Sequence, residues 1–152
     1  MSISPKRLYR KLLALAKIEV TEGTDVGPTA LANAIELRDV TFTPLAGDDL
    51  ERQFIRPYFG HQGVDFAGEY GRLQFTVDFA GSGVAGTPPA WGVLKRACGY
   101  AETIVAATSV TYEKASDDPE SVTIYVNIDG VNHVFVGARG KSSASMTAKQ
   151  VS

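Results

Sequence analysis

The stretch with the most direct chemical reading is GSGVAG at residues 81–86. Its G-x-G-x-x-G spacing is that of a loop that brings backbone amides against a dinucleotide pyrophosphate. It follows an alternating strand pattern and precedes a helical one, as such a loop should. Three features oppose that chemistry. The preceding strand alternates, whereas a Rossmann first strand is apolar on both faces. Pro88 and Pro89 fall where phosphate-facing amides are needed, and proline has none. The remainder of the chain offers hairpins rather than βαβ units. A tight strand-to-helix connection is the better reading, and no cofactor is expected.

The other reactive side chains are sparse. His61 and His133 are the only histidines, and neither has a partner at metal-ligand spacing. His133 falls on an apolar strand face. The lone Cys98 permits no intrachain disulfide and no cysteine-based zinc site. It shares a helical stripe with Trp91 and Leu94, as a small core residue would. Serines are plentiful, but no G-x-S-x-G elbow occurs. Asp48, Asp49 and Glu51 cluster ahead of Arg52 and Arg56, a mixture typical of a solvated or intersubunit surface. No catalytic or metal-binding residue is assigned, and the chain is not expected to be an enzyme.

The elements that would position these groups are mostly strands. Ser4 and Pro5 read as the start of a helix carrying Leu8, Leu12 and Leu15 on one stripe. The alternative is extended chain over residues 13–20. Residues 21–33 are turn-rich. Residues 36–43 read as a strand that Pro44 stops. Residues 45–69 show no clean period and read as a long irregular loop. Within it, Phe54, Arg56, Tyr58 and Phe59 combine three aromatics with an arginine, the composition of interface anchors. A loop folded back over the core is the alternative. Residues 72–80 alternate as a half-buried strand. Thr87 and Pro88 then open a short helix that ends at Gly99, with Lys95 and Arg96 in its last turn. Residues 109–113 form another strand, residues 115–120 a polar turn, and residues 141–148 a possible last strand.

The clearest local signal is Asp129-Gly130, a two-residue turn inside a β-hairpin over residues 121–138. That turn pairs Ile128 with Val131 and Ile124 with Phe135. Val122, Ile124, Val126 and Ile128 then share a face with Val131, His133 and Phe135. Thr123, Tyr125, Asn127, Asn132, Val134 and Val136 take the other. Neither face carries a charge, although a solvated outer face normally carries Lys or Glu. Thr123, Tyr125, Asn127, Val134 and Val136 are therefore candidate contacts for a second layer or a neighbouring subunit.

The chain of 152 residues suits one domain over 1–152. Hydrophobic residues at 44% and charged residues at 21% exclude bulk disorder. A net charge of −2 gives no reason to expect tight wrapping of nucleic acid. No apolar run is long enough to span a membrane. The basic, then apolar, N-terminus lacks the cleavage pattern of a signal peptide.

Several blocks resemble a known family. They are Asn33-Ala-Ile, Val40-Thr-Phe-Thr-Pro44 and Arg56-Pro-Tyr-Phe-Gly60, then GSGVAGTPPAWG at 81–92 with Leu94 and Ala97-Cys-Gly99, and finally Ser121-Val-Thr-Ile-Tyr through Gly137-Ala-Arg-Gly140. Together, in this order, they resemble the major tail tube proteins of siphophages. The resemblance implies a mainly β fold, a β-sandwich or barrel of the tail-tube type with one or two short packed helices. It implies a structural subunit that self-assembles into stacked hexameric rings, a conduit for DNA. Its partners would be further copies of itself, the tape measure protein and other tail proteins, with DNA as transiting cargo and no membrane. It would be made in the host bacterial cytoplasm and reside in the virion tail. Residues 45–69 would reach between rings. Family members usually continue past the equivalent of Ser152 with more β structure. Alternatives are a tail terminator, connector or baseplate protein, or a monomeric β-sandwich binding module.

Overall fold

The computed structural model describes residues 12–51, 55, 57, 60, 63–147 and 150–151. The described residues are mainly β, with strands arranged in several antiparallel sheets that close no barrel among them. In chain order the elements are β1 (Leu12–Ile18), α1 (Ala30–Asn33), β2 (Ala34–Ile35), β3 (Arg38–Glu51), β4 (Val64–Thr76), α2 (Gly92–Arg96), β5 (Tyr100–Val105), β6 (Ser109–Lys114), β7 (Val122–Ile128), β8 (Val131–Ala138), β9 (Met146–Thr147) and β10 (Gln150–Val151). Length suggested one domain; the chain divides into two compact units, residues 38–76 and the remainder.

The larger unit is built on a four-stranded sheet ordered β2-β1-β7-β8. β1 reads locally as helix, because Leu, Ala and Lys all favour one. It is a strand instead. Seven residues pair with β7 in unbroken register, from Leu12 opposite Ile128 to Ile18 opposite Val122. Packing on both sides overrides local propensity here. The helix expected to carry Leu12 and Leu15 is thus replaced by the extended alternative, and residues 1–11 lie outside the described residues.

One face of this sheet is the core. Ala14, Ala16, Ile35, Val122, Ile124, Val126 and Ile128 are buried on it, and Val126 has no exposed surface. The hairpin joining β7 to β8 has the expected register, with Ile128 opposite Val131 and Ile124 opposite Phe135. Asp129 and Gly130 have φ of 48° and 84°. Both are left-handed, as a type I′ turn requires. His133 pairs with Val126 on the buried face.

α2 lies against β1 and β5. It is shorter than expected. Thr87 and Pro88 do not start it; the Thr87 amide closes a turn onto Val84, and the helix begins only at Gly92. The stop is as read: Gly99 has φ 81°, with Lys95 and Arg96 in the last turn. Trp91 donates to the Ala80 carbonyl at 2.9 Å and stacks edge-on against Phe79, 5.0 Å between centroids. Tyr112 of β6 packs on its other side at 5.3 Å. Gly92 is required there, since a Cβ would fall 2.1 Å from Tyr112 Oη. GSGVAG forms turns, with Ser82 Oγ donating to the carbonyls of Val84 and Thr87. Gly86 is pressed against the backbone of Val105, Ala106 and Ala107.

The smaller unit is a single β3–β4 ribbon. Two expectations are corrected here. Pro44 does not stop the strand: β3 continues through it to Glu51, and Pro44 falls at a register shift between Thr43 and Ala46, where a missing N–H is tolerated. Much of the segment read as an irregular loop over 45–69 is therefore ladder, with Glu51 opposite Val64. Two register shifts, between Thr43 and Ala46 and between Ala46 and Asp48, obscured its period. Each bulge flips the alternation of side chains, so a period of two never persists long enough to be read. The strand over 72–80 likewise starts earlier and ends at Thr76. The possible strand over 141–148 reduces to the short β9.

Candidate functional site

The feature that stands out chemically is an edge. β8 is the last strand of the four-stranded sheet, and its sequence, VNHVFVGA, contains no Lys, Arg, Asp, Glu or Pro. In this hairpin Ile128 and Val131 close the turn, so backbone groups at 131, 133 and 135 point to β7. Those of Asn132, Val134 and Val136 point outward. Their side chains lie on the sheet face opposite the core. There Val134 is 46% exposed and Val136 40%, with Leu13 of β1 at 44%.

The other edges are guarded. Among the described strands, every other edge strand longer than two residues carries charge: β3 has Asp48, Asp49 and Glu51, β4 has Asp65, Glu69 and Arg72, β5 has Glu102, and β6 has Glu113 and Lys114. Charges, bulges and proline are the devices that keep strand edges from pairing with another chain.

A polar clasp bounds the uncharged face. Glu19 follows β1 directly and is buried, 8% exposed. Its Oε1 accepts from Thr123 Oγ1 at 2.8 Å and from the Gly137 amide at 2.7 Å. Its Oε2 accepts from Ser121 Oγ at 2.6 Å and from the Gly23 amide at 2.9 Å. Burial alone would push this carboxyl up. The hydrogen bonds from Ser121, Gly137, Thr123 and Gly23 outweigh it and hold the pKa at about 2. Gly137, with φ 68°, sits where the β7–β8 register shifts between Ile124 and Val122. The bulge leaves its N–H for Glu19.

The chain after Glu19 forms a strap over this end of the sheet. Tyr125 Oη donates to Asp25 Oδ2, which lowers the Asp25 pKa and raises that of Tyr125. Lys17 Nζ donates to the Val26 carbonyl at 3.2 Å. The Arg139 guanidinium lies 2.9 Å from Glu22 and donates to the Pro119 carbonyl at 3.0 Å.

A second polar cluster joins α2 to the strands that follow. Arg96 binds Glu120 through two nitrogens, Nε to Oε2 at 2.6 Å and NH2 to Oε1, and lies 3.7 Å from Glu102. Its pKa is raised, first by the Glu120 hydrogen bond. Tyr112 Oη donates to Glu102 Oε2, and burial followed by that bond raises the phenol pKa. Arg96, Glu102 and Glu120 border a depression of about 320 Å³. Arg96 is paired with Glu120 and faces Glu102, and with Asp117 and Asp118 also in the lining the depression is acidic on balance. Burial raises the Cys98 thiol pKa, which disfavours the thiolate. Among the described residues, no three His, Cys, Asp or Glu side chains converge as metal ligands would.

Of the surface residues singled out from sequence, Val134 and Val136 are exposed together on β8. Thr123 is fully buried beneath the strap, where its hydroxyl serves Glu19, so it is not a surface contact. Tyr125 is half-buried and held by Asp25. Asn127 is also half-buried, and its side-chain oxygen accepts from the Gly130 amide at 3.1 Å, supporting the turn. Phe54, Arg56, Tyr58 and Phe59 lie outside the described residues, as does His61. Glu19, Asp25 and Leu13 were missed. A carboxylate ending an apolar run was the only local signal for Glu19. Comparison with protein-family models, with curated proteins and with solved structures returns no match.

Proposed function

We propose that this protein is a structural subunit that self-assembles through its β8 edge, of the kind that builds a phage tail tube. The observation that carries the reading is the contrast between edges: an eight-residue edge strand without a charge or proline, beside other edges that carry them. Addition of a strand from a second copy would satisfy the outward groups of Asn132, Val134 and Val136 and flank the exposed side chains of Val134 and Val136. Head-to-tail addition that closes on itself gives a ring. The block resemblance described above adds the tail tube, its stacked hexameric rings, the tape measure protein and other tail proteins as partners, the virion tail as location and DNA as transiting cargo. A conduit of this kind favours acidic or neutral walls, because cationic walls would bind phosphates, and the net charge of −2 is compatible with that. Function in this reading is assembly, without a catalytic step.

Negative-stain microscopy of the purified protein tests it. Rings or tubes are the expected result; rings of fixed size that never stack would favour a terminator, connector or baseplate role. A monomer at high concentration would sink the reading.

A further inference from the structure

We infer that the acidic outer half of the β3–β4 ribbon is a docking surface for residues 1–11 of a second copy; the inference rests on the assembly reading above, to which it adds a contact that does not use the β8 edge. The smaller unit is this ribbon alone, and none of its described residues is buried. Leu50 is 56% exposed, Phe66 43% and Val64 42%.

The register places a carboxylate opposite an apolar residue in four pairs: Asp48 with Ala67, Asp49 with Phe66, Leu50 with Asp65 and Glu51 with Val64. Residues directly opposite share a face, so each face carries two carboxylates and two apolar side chains. The Phe66 ring lies against Gly47, where a Cβ would fall 2.6 Å from its Cζ, which holds the ring on the Asp49 side. Among the described residues, neither Asp49 nor Glu51 has an ion-pair partner. An exposed surface of this kind fits a segment that is both basic and apolar.

The same chain contains one. Residues 1–11, MSISPKRLYRK, hold Lys6, Arg7, Arg10 and Lys11 and no acid, with Leu8 and Tyr9 between the cations. That is +4, which leaves −6 for residues 12–152 of a chain whose net charge is −2. Residues 48–69 alone carry five acids against Arg52 and Arg56. Complementary charge steers the encounter and fixes orientation, while Leu8 and Tyr9 offer apolar surface to Phe66 and Val64. Fully extended, eleven residues reach at most about 40 Å, against about 13 Å for four residues of strand. One copy's basic segment on the next copy's ribbon is a head-to-tail contact, the kind that generates rings or stacks.

The test uses two full-length variants, both carrying Val134→Lys and Val136→Lys to silence the β8 edge. The first adds Lys6→Gln, Arg7→Gln, Arg10→Gln and Lys11→Gln and keeps the ribbon. The second adds Asp49→Asn and Glu51→Gln and keeps the basic segment. Each alone should be monomeric. Mixed, they should sediment with about twice the mass of either, and about 0.5 M salt should reverse this. In the mixture the amide signals of Asp49 and Phe66 in the first variant should move, and that of Val126 should not. A mixture that stays monomeric, or shifts that leave the ribbon untouched, would overturn the inference. Binding of the second variant to duplex DNA while the mixture stays monomeric would overturn it too, and would assign the segment to phosphates. Wild-type microscopy decides the β8 assembly reading separately, since neither variant depends on that edge.

Discussion

The backbone N–H of Gly137 donates to Glu19 Oε1 at 2.7 Å across 118 positions of sequence. Both residues are special locally, one a buried carboxylate and the other a left-handed bulge glycine. Each supplies what the other lacks: a buried anion needs donors, and a bulge leaves a donor without its ladder partner.

The Glu19 carboxyl should make stability depend on pH. Its pKa falls from 4.5 to about 2 on folding, so its contribution is fully present above pH 4.5 and is lost as pH falls toward 2. Glu19→Gln should cost about 2–3 kcal/mol at pH 7. It should also flatten the dependence of urea-unfolding midpoints on pH in this window. Asp25, whose pKa is also lowered, should leave a residual slope. An unaltered slope in the variant would show that the clasp is not the titrating group.

The hairpin turn should tolerate Asp129→Asn and resist Gly130→Ala. Asparagine adopts positive φ readily, whereas alanine at φ 84° is strained. Urea unfolding should show a change within about 0.5 kcal/mol for the first and a loss of about 1–2 kcal/mol for the second.

Gly92→Ala should disturb the aromatic stack. The new methyl would meet Tyr112 Oη, displacing Tyr112 from Glu102 and from Trp91. Overpacking of this kind costs about 1–3 kcal/mol. Trp91 is the only tryptophan, so its emission reports the change directly. A Trp91 spectrum matching wild type would mean that the helix start shifts to accommodate the methyl.

Val134→Lys combined with Val136→Lys should abolish assembly while changing stability by less than about 1 kcal/mol, because both side chains are exposed. Sedimentation and microscopy read the assembly and urea unfolding reads the fold. Equal losses in both would move the interface elsewhere.

The β3–β4 ribbon should be removable. None of its described residues is buried, and Leu45, Leu50, Val64, Phe66 and Tyr70 are all exposed. Two-stranded ribbons contribute little stability of their own. Arg38 and Thr76 are paired neighbours, so a short glycine–serine link can replace residues 39–75. The shortened protein should keep its Trp91 emission and cooperative unfolding but lose stacking of rings. Phe54→Ala with Tyr58→Ala should weaken polymerisation more than folding. A shortened protein that no longer folds would place core contributions in the ribbon.

Much of the fold was legible wherever the signal is short-range. Asp129-Gly130, the alternation of Leu73 and Phe75 against Arg72 and Gln74, and the stop at Gly99 each depend on a few adjacent residues. β1 was read as helix first because its propensity is helical, and only its pairing with β7 makes it a strand. The continuation of β3 past Pro44 and the first half of β4 escaped notice because bulges reset their period. The partner of β6 was also hidden, since Tyr100–Val105 carries no turn chemistry of its own.

The amino-acid sequence by itself determined the β7–β8 hairpin, its register and its uncharged composition, because a type I′ turn and a two-residue period are local properties of the backbone. Tertiary structure alone decided that β8 is an edge among the described strands, that Thr123 is buried and Val134 exposed on the same face, and that Glu19 receives the Gly137 amide. Those depend on which strand pairs beyond β7 and on where a distant strap returns, and contacts across more than a hundred residues leave no periodic trace in the chain.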